Sequence, residues 1–125
     1  LGNYIVKVDK EMYVNLFRDR PLEKITIEKD RSAKFEFEHL NYINTEYELD
    51  IPQNCTVKYL PKNFSLDNDY LKVDFIYEVK NNKIRLHSQL KQKKLLLEKS
   101  DFELWNKSIK ELKNNYTDTL ILLEK

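Results

Sequence analysis

The chain has 125 residues, a mass of 15.2 kDa and a formal net charge of +1, with 22 Lys plus Arg against 21 Asp plus Glu. That length suits one domain, the charge balance disfavours a generally basic nucleic-acid binder or an acidic tail, and 41% hydrophobic residues is too apolar for a disordered segment. One Cys excludes an internal disulfide framework or a Cys-based zinc cluster, one Gly at position 2 excludes glycine-rich phosphate loops, and no apolar run nears the roughly 18 residues that span a bilayer.

The start, Leu1-Gly2-Asn3-Tyr4, carries no charged or apolar leader pattern and reads as an internal piece of a longer protein. Residues 4–8 and 25–27 are weak strand candidates, and residues 9–24 are ambiguous, with 12–17 open to strand or helical turn. Residues 35–39 and 46–51 alternate apolar and polar side chains, as half-buried strands do. An Asn-containing connection at 41–44 is expected to join them, and Pro52 ends the second by removing a ladder donor. Residues 56–60 form a short β-branched and aromatic run closed by Pro61, and 62–69 read as a loop.

The sharpest local signal is a hairpin. Leu71, Val73, Phe75, Tyr77 and Val79 alternate with Lys72, Asp74, Ile76 and Glu78; Asn81-Asn82 then supplies two residues that tolerate φ > 0, as a type I′ turn requires. Pairing across that turn sets Glu78 opposite Arg85, Tyr77 opposite Leu86 and Ile76 opposite His87. With one glycine and twelve asparagines, the chain is expected to build its left-handed turns from Asn.

One helix is expected at about 100–115. Ser100 and Glu103 have capping-box spacing, and Phe102, Trp105, Ile109, Leu112 and Tyr116 fall on one stripe. Residues 119–123 read as a final strand. The pattern gives a mainly β chain, an antiparallel β-sandwich-like single domain over residues 1–125 with one C-terminal helix and a closing strand.

Few residue groups suggest chemistry. Cys55, His87 and Asp101 occur in the order and approximate spacing of transglutaminase-like cysteine enzymes, which need a thiolate held by a helix N-terminus and a His. Cys55 instead precedes a strand, His87 lies on the polar face of the hairpin and Asp101 sits in a first helical turn, so a small buried or strand-edge Cys is the favoured reading. His39 and His87 lack His or Cys partners at metal-ligand spacing, and His39 shares the parity of Phe35 and Phe37, the place of a core-edge histidine. Glu46, Glu48 and Asp50 read as a solvated strand face rather than a cation site or glycosidase pair. The run Lys91-Gln92-Lys93-Lys94 has no interleaved aromatic for stacking and reads as a strand end. Fifteen aromatics are a surplus, but Tyr47, Tyr77 and Trp105 fall on core faces. Sequons begin at Asn54, Asn63, Asn106 and Asn115. No catalytic residue, cofactor-binding residue or metal ligand is assigned.

Two blocks carry a family resemblance: SDFELWNKSIKELKNNY at 100–116 with TLILLEK at 119–125, and YELDIPQNCTVKYLP at 47–61 with its strand, Ile-Pro, turn, strand, Leu-Pro cadence. Over roughly residues 20–125 the chain resembles the C-terminal β-rich domain of large bacterial envelope proteins that carry an N-terminal β domain and a transglutaminase-like domain upstream. The resemblance implies a non-catalytic accessory module at the end of an exported protein, periplasmic or at the cell surface, whose first partners are the upstream domains of its own chain. The family's Cys, His and Asp belong to the preceding domain, so none carries over. Where the family often has Gly after Pro52, this sequence has Gln53-Asn54. A glycan- or peptide-binding β-sandwich is the alternative, a cysteine enzyme built on Cys55 a second; neither nucleic acid nor a membrane span is expected.

Overall fold

The computed structural model describes residues 5–17, 20–23, 25–27, 34–37 and 40–125. Half of these lie in strands, and every ladder is antiparallel. The strands are β1 (Ile5–Val8), β2 (Glu11–Val14), β3 (Phe35–Glu36), β4 (Tyr42–Asp50), β5 (Cys55–Tyr59), β6 (Phe64–Asp67), β7 (Leu71–Lys80), β8 (Lys83–Gln92), β9 (Leu96–Leu97) and β10 (Leu120–Glu124), with α1 (Phe102–Tyr116) before the last. They form a four-stranded sheet β1-β2-β10-β5, a second one β4-β8-β7-β6 and a two-stranded ladder β3-β9; neither four-stranded sheet closes into a barrel.

The β7–β8 hairpin has the expected register, Glu78 opposite Arg85, Tyr77 opposite Leu86 and Ile76 opposite His87. Asn81 and Asn82 sit at φ 54° and 60°, in the left-handed region. Without glycines there, Asp9 (φ 55°) turns β1 into β2, and Leu22 is held at φ 66°, unusual for a bulky residue. One face of β8 (Ile84, Leu86, Ser88, Leu90) is buried, and Leu71, Val73 and Phe75 of β7 continue that inner surface.

The helix lays its whole stripe on this surface. Phe102, Trp105, Ile109, Leu112 and Tyr116 are buried among Leu71, Val73, Phe75, Leu86 and Leu90. Phe17 wedges between Phe75 (ring centroids 4.7 Å) and Tyr116 (4.9 Å). At the hairpin end of the same face the first sheet takes over: Val14, Cys55, Leu120 and Leu122 pack with Ile84 and Leu49. The sandwich-like packing is therefore met at one end, while the helix covers the other.

Four expectations about strands are corrected, and the stretch left open at 9–24 resolves to a strand. Residues 42–44 do not turn but open β4, a nine-residue strand, because Ile43 and Thr45 extend the alternation of Tyr47 and Leu49. The expected loop 62–69 contains β6, where Phe64 and Leu66 face inward opposite Phe75 and Val73. The ambiguous stretch 9–24 contains the strand β2, placed between β1 and β10. The strand at 35–39 shortens to Phe35–Glu36 paired with Leu96–Leu97, and Glu38 and His39 lie outside the described residues. Residues 25–27 join no ladder; helix side chains take the ladder's place. The Trp105 indole N–H donates to the Ile25 carbonyl (2.9 Å), the Asn106 amide donates to the Ile27 carbonyl (2.7 Å), and the Ile27 N–H donates to the Asn106 Oδ1 (2.8 Å).

Ser100 does not cap the helix either. It lies in a 3-10 turn over Lys99–Asp101, and the Asp101 carboxylate accepts the Glu98 N–H at 3.0 Å. The capping pattern thus starts two residues earlier than the Ser-x-x-Glu spacing suggests. Asn106→Ala should cost about 2 kcal/mol in urea unfolding, because a paired donor and acceptor are left behind. Ser100→Ala should stay within about 0.5 kcal/mol of wild type; a loss near 1 kcal/mol would restore Ser100 as the cap.

Candidate functional site

The structure does not bring Cys55, His87 and Asp101 together. Cys55 opens β5 and is buried in the smaller core cluster beside Val14, Leu120 and Leu122, with its Sγ 3.6 Å from the Asn54 Oδ1. His87 stands on the outward face of the second sheet, between Glu46 of β4 and Ile76 of β7. Asp101 is engaged at the helix start. A cavity of about 370 Å³ borders Cys55, lined also by Ile51, Pro52, Gln53, Thr56, Val57, Asn82 and Lys125, with no His or carboxylate side chain among them. Among the described residues no group of three His, Cys, Asp or Glu is placed to hold a metal ion.

A pairing that the sequence did not signal joins Tyr70 to Asp101. The phenol donates to the Asp101 Oδ1 at 2.7 Å, and residues 31 apart in the chain meet because β7 begins beneath the helix N-terminus. That hydrogen bond, with burial adding to it, pushes the Tyr70 hydroxyl up to about 12. The same bond, together with the Glu98 N–H, holds Asp101 below the usual carboxylate range. Lys94 lies 5.3 Å above the Tyr70 ring and Lys93 bonds Asp67, so half of the basic run is spent on this corner. Gln92, in the middle of the run, is buried and accepts the Asn41 side-chain amide at 2.9 Å.

The outward face of the second sheet is a charge ladder. Glu48 meets Lys83 at 3.0 Å and Arg85 at 3.2 Å, while Glu46 and Asp50 reach the same two cations only at 4.0 and 3.9 Å. The Lys83 hydrogen bond holds Glu48 below its ordinary value, and Glu48 in turn raises Lys83. Beside it, a cavity of about 240 Å³ opens between β4 and the Ile5, Val14, Asn15 and Leu16 side of the first sheet. The sequons are mostly engaged: Asn106 binds Ile27, Asn63 accepts the Tyr77 N–H (2.8 Å) and Asn115 donates to the Glu111 carbonyl (2.8 Å). Trp105 and Tyr116 are fully buried, so neither offers a stacking face.

The Tyr70–Asp101 pair makes stability depend on pH in a stated direction. A phenol raised in the fold stabilises fully below its unfolded value near 10, and that contribution disappears as pH rises through about 12. Urea midpoints of the wild-type chain should therefore fall between pH 10 and 12, and fall less steeply in Tyr70→Phe. The lowered Asp101 contributes with the opposite sign: its share is present above its unfolded value and lost as pH falls through its folded value. On acidification too, then, the midpoint should fall less steeply in Tyr70→Phe, which has less of that share to lose. Superimposable pH profiles would mean the bond does not form in solution.

Residues 10–122 match the model of a family described as a domain of unknown function with solved structure (DUF3858), and the chain belongs to that family. No curated protein matches the sequence. The fold is similar to part of the crystal structure of a "putative protease" from Parabacteroides distasonis, with a TM-score of 0.75 and 14% sequence identity over 92% of this chain. The chain spans about a quarter (24%) of that protein's length. At this identity the likeness concerns the fold.

Proposed function

We propose, from membership of a domain family with no assigned activity, that this chain is a non-catalytic accessory and interaction module of a larger protein. The observation that carries this reading is one of proportion: the same fold occurs in a chain about four times as long, matched over 24% of its length. The dispersal of Cys55, His87 and Asp101 supports it, since nucleophilic cysteine chemistry needs thiol and imidazole within hydrogen-bond reach. The surrounding context follows the sequence resemblance: a transglutaminase-like domain upstream in an exported bacterial protein, periplasmic or at the cell surface, with the upstream domains of the same chain as first partners.

Among binding functions, peptide capture is favoured over glycan stacking, because Trp105 is fully enclosed whereas β4 pairs with β8 alone among the described residues. A cysteine enzyme would need Cys55 reachable, and it is 7% exposed. Iodoacetamide should therefore modify Cys55 of the native chain at least tenfold more slowly than that of the urea-unfolded chain, a loss of reactivity that follows burial. In parallel, the native chain should cleave no casein or fluorogenic peptide above the rate of Cys55→Ala. Rapid native alkylation with turnover that Cys55→Ala abolishes would reverse the reading.

A further inference from the structure

The second sheet leaves one long strand with a single neighbour. Among the described residues β4 pairs only with β8, along all nine of its residues. Two bonds at the ends of that ladder fix its phase: Gln92 N–H to the Asn41 carbonyl and Ile51 N–H to the Asn82 carbonyl, both 2.8 Å. In an antiparallel ladder hydrogen-bonded residues alternate, so odd-numbered residues of β4 bond to β8. The main-chain groups of Asn44, Glu46 and Glu48 therefore point away from the sheet, along its open edge.

That edge has defined chemistry. On the outward face Glu46, Glu48 and Asp50 present three carboxylates to the two cations Lys83 and Arg85, while the imidazole of His87 stands opposite Glu46. Glu48 takes the close contacts with both cations, leaving Glu46 and Asp50, four residues apart, at 4.0 and 3.9 Å from theirs. Along the same edge a cavity of about 240 Å³ takes apolar walls from Ile5, Val14, Leu16 and Leu49, while Asn15, Tyr47, Glu46 and Glu48 also line it. An added strand lays alternate side chains on the two faces of the sheet, and both its charge and its period are thereby specified.

We propose that the β4 edge captures an extended peptide of alternating basic and apolar residues, which joins the sheet β4-β8-β7-β6 as a further strand. Its Lys or Arg side chains meet Glu46 and Asp50, and its apolar ones enter the cavity against Leu16 and Leu49. A second copy of this chain is the wrong occupant, because pairing β4 with β4 sets acidic rows side by side. The acidic row thus rejects self-association and selects a basic strand. This inference rests on reading the chain as an interaction module and names the surface and the partner's chemistry.

The test uses 15N-labelled chain titrated with acetyl-Val-Lys-Val-Lys-Val-Lys-amide. Saturable shifts confined to residues 42–50, Ile5 and 14–16 are expected. The Val/Glu analogue should bind roughly tenfold more weakly or not at all, and so should the isomer with three Val followed by three Lys, which keeps the charge but loses the alternation. Glu46→Lys with Asp50→Lys should abolish binding; if that variant unfolds, Glu46→Gln with Asp50→Gln should weaken it roughly tenfold. Equal binding of the blocked isomer, shifts on another surface, no binding, or self-association that the peptide displaces would each overturn the proposal. A failure here with slow Cys55 alkylation removes the edge site and leaves the accessory reading; Cys55-dependent turnover with peptide on β4 does the reverse.

Discussion

The fold depends on one helix having a single place for its apolar stripe. Trp105, Ile109, Leu112 and Tyr116 leave water together against the inner face of β7 and β8, whose Leu71, Val73, Phe75, Leu86 and Leu90 are buried in the same cluster. Large aromatic groups make this contact costly to rearrange: Phe17, Phe75 and Tyr116 interlock with centroids 4.7 to 5.4 Å apart. Once the helix is seated, its polar side chains organise what surrounds it. Asn106 and Trp105 hold residues 25–27 by main-chain hydrogen bonds, and Asp101 reaches Tyr70 at the start of β7. The first sheet then needs only the hairpin end of the second, at Ile84 and Leu49, to complete a smaller core.

That division of labour explains which residues have chemistry to spare. Groups that look reactive in the sequence are used by the fold: Cys55 fills core volume, Asp101 anchors the helix start, and Asn106 substitutes for a strand. Along the open side of β4, Glu46, Glu48 and Asp50 outnumber the Lys83 and Arg85 they meet, and the main chain has no strand neighbour among the described residues. Function in a module of this kind is therefore sought at an edge rather than in a pocket.

Legibility in the sequence followed the range of the interaction. The β7–β8 register was readable because Asn81-Asn82 fixes the turn and the alternation fixes the faces, all within 20 residues. The helix stripe was readable for the same reason, from its 3.6-residue period. Asn44 hid the start of β4, since asparagine signals turns unless neighbours on both sides alternate. The Asn and Asp at 67–69 likewise hid β6, although Phe64 and Leu66 carried a short period-2 signal. The Ser-x-x-Glu spacing misplaced the helix cap because the competing Glu98–Asp101 contact uses the 3-10 turn before it. The Tyr70–Asp101 bond and the open edge of β4 are consequences of sheet order, which no local pattern encodes. The chain belongs to the DUF3858 family over residues 10–122, and the upstream context named by the sequence resemblance belongs to the proposal.

Amide hydrogen exchange along β4 tests the central claim most directly, because it reads the edge residue by residue without any ligand. The account predicts alternation: slow exchange at Ile43, Thr45, Tyr47 and Leu49, which bond to β8, and fast exchange at Asn44, Glu46 and Glu48. Uniform protection of all seven amides would mean that something in the chain already covers this edge, and the account of β4 as an open docking strand would be contradicted.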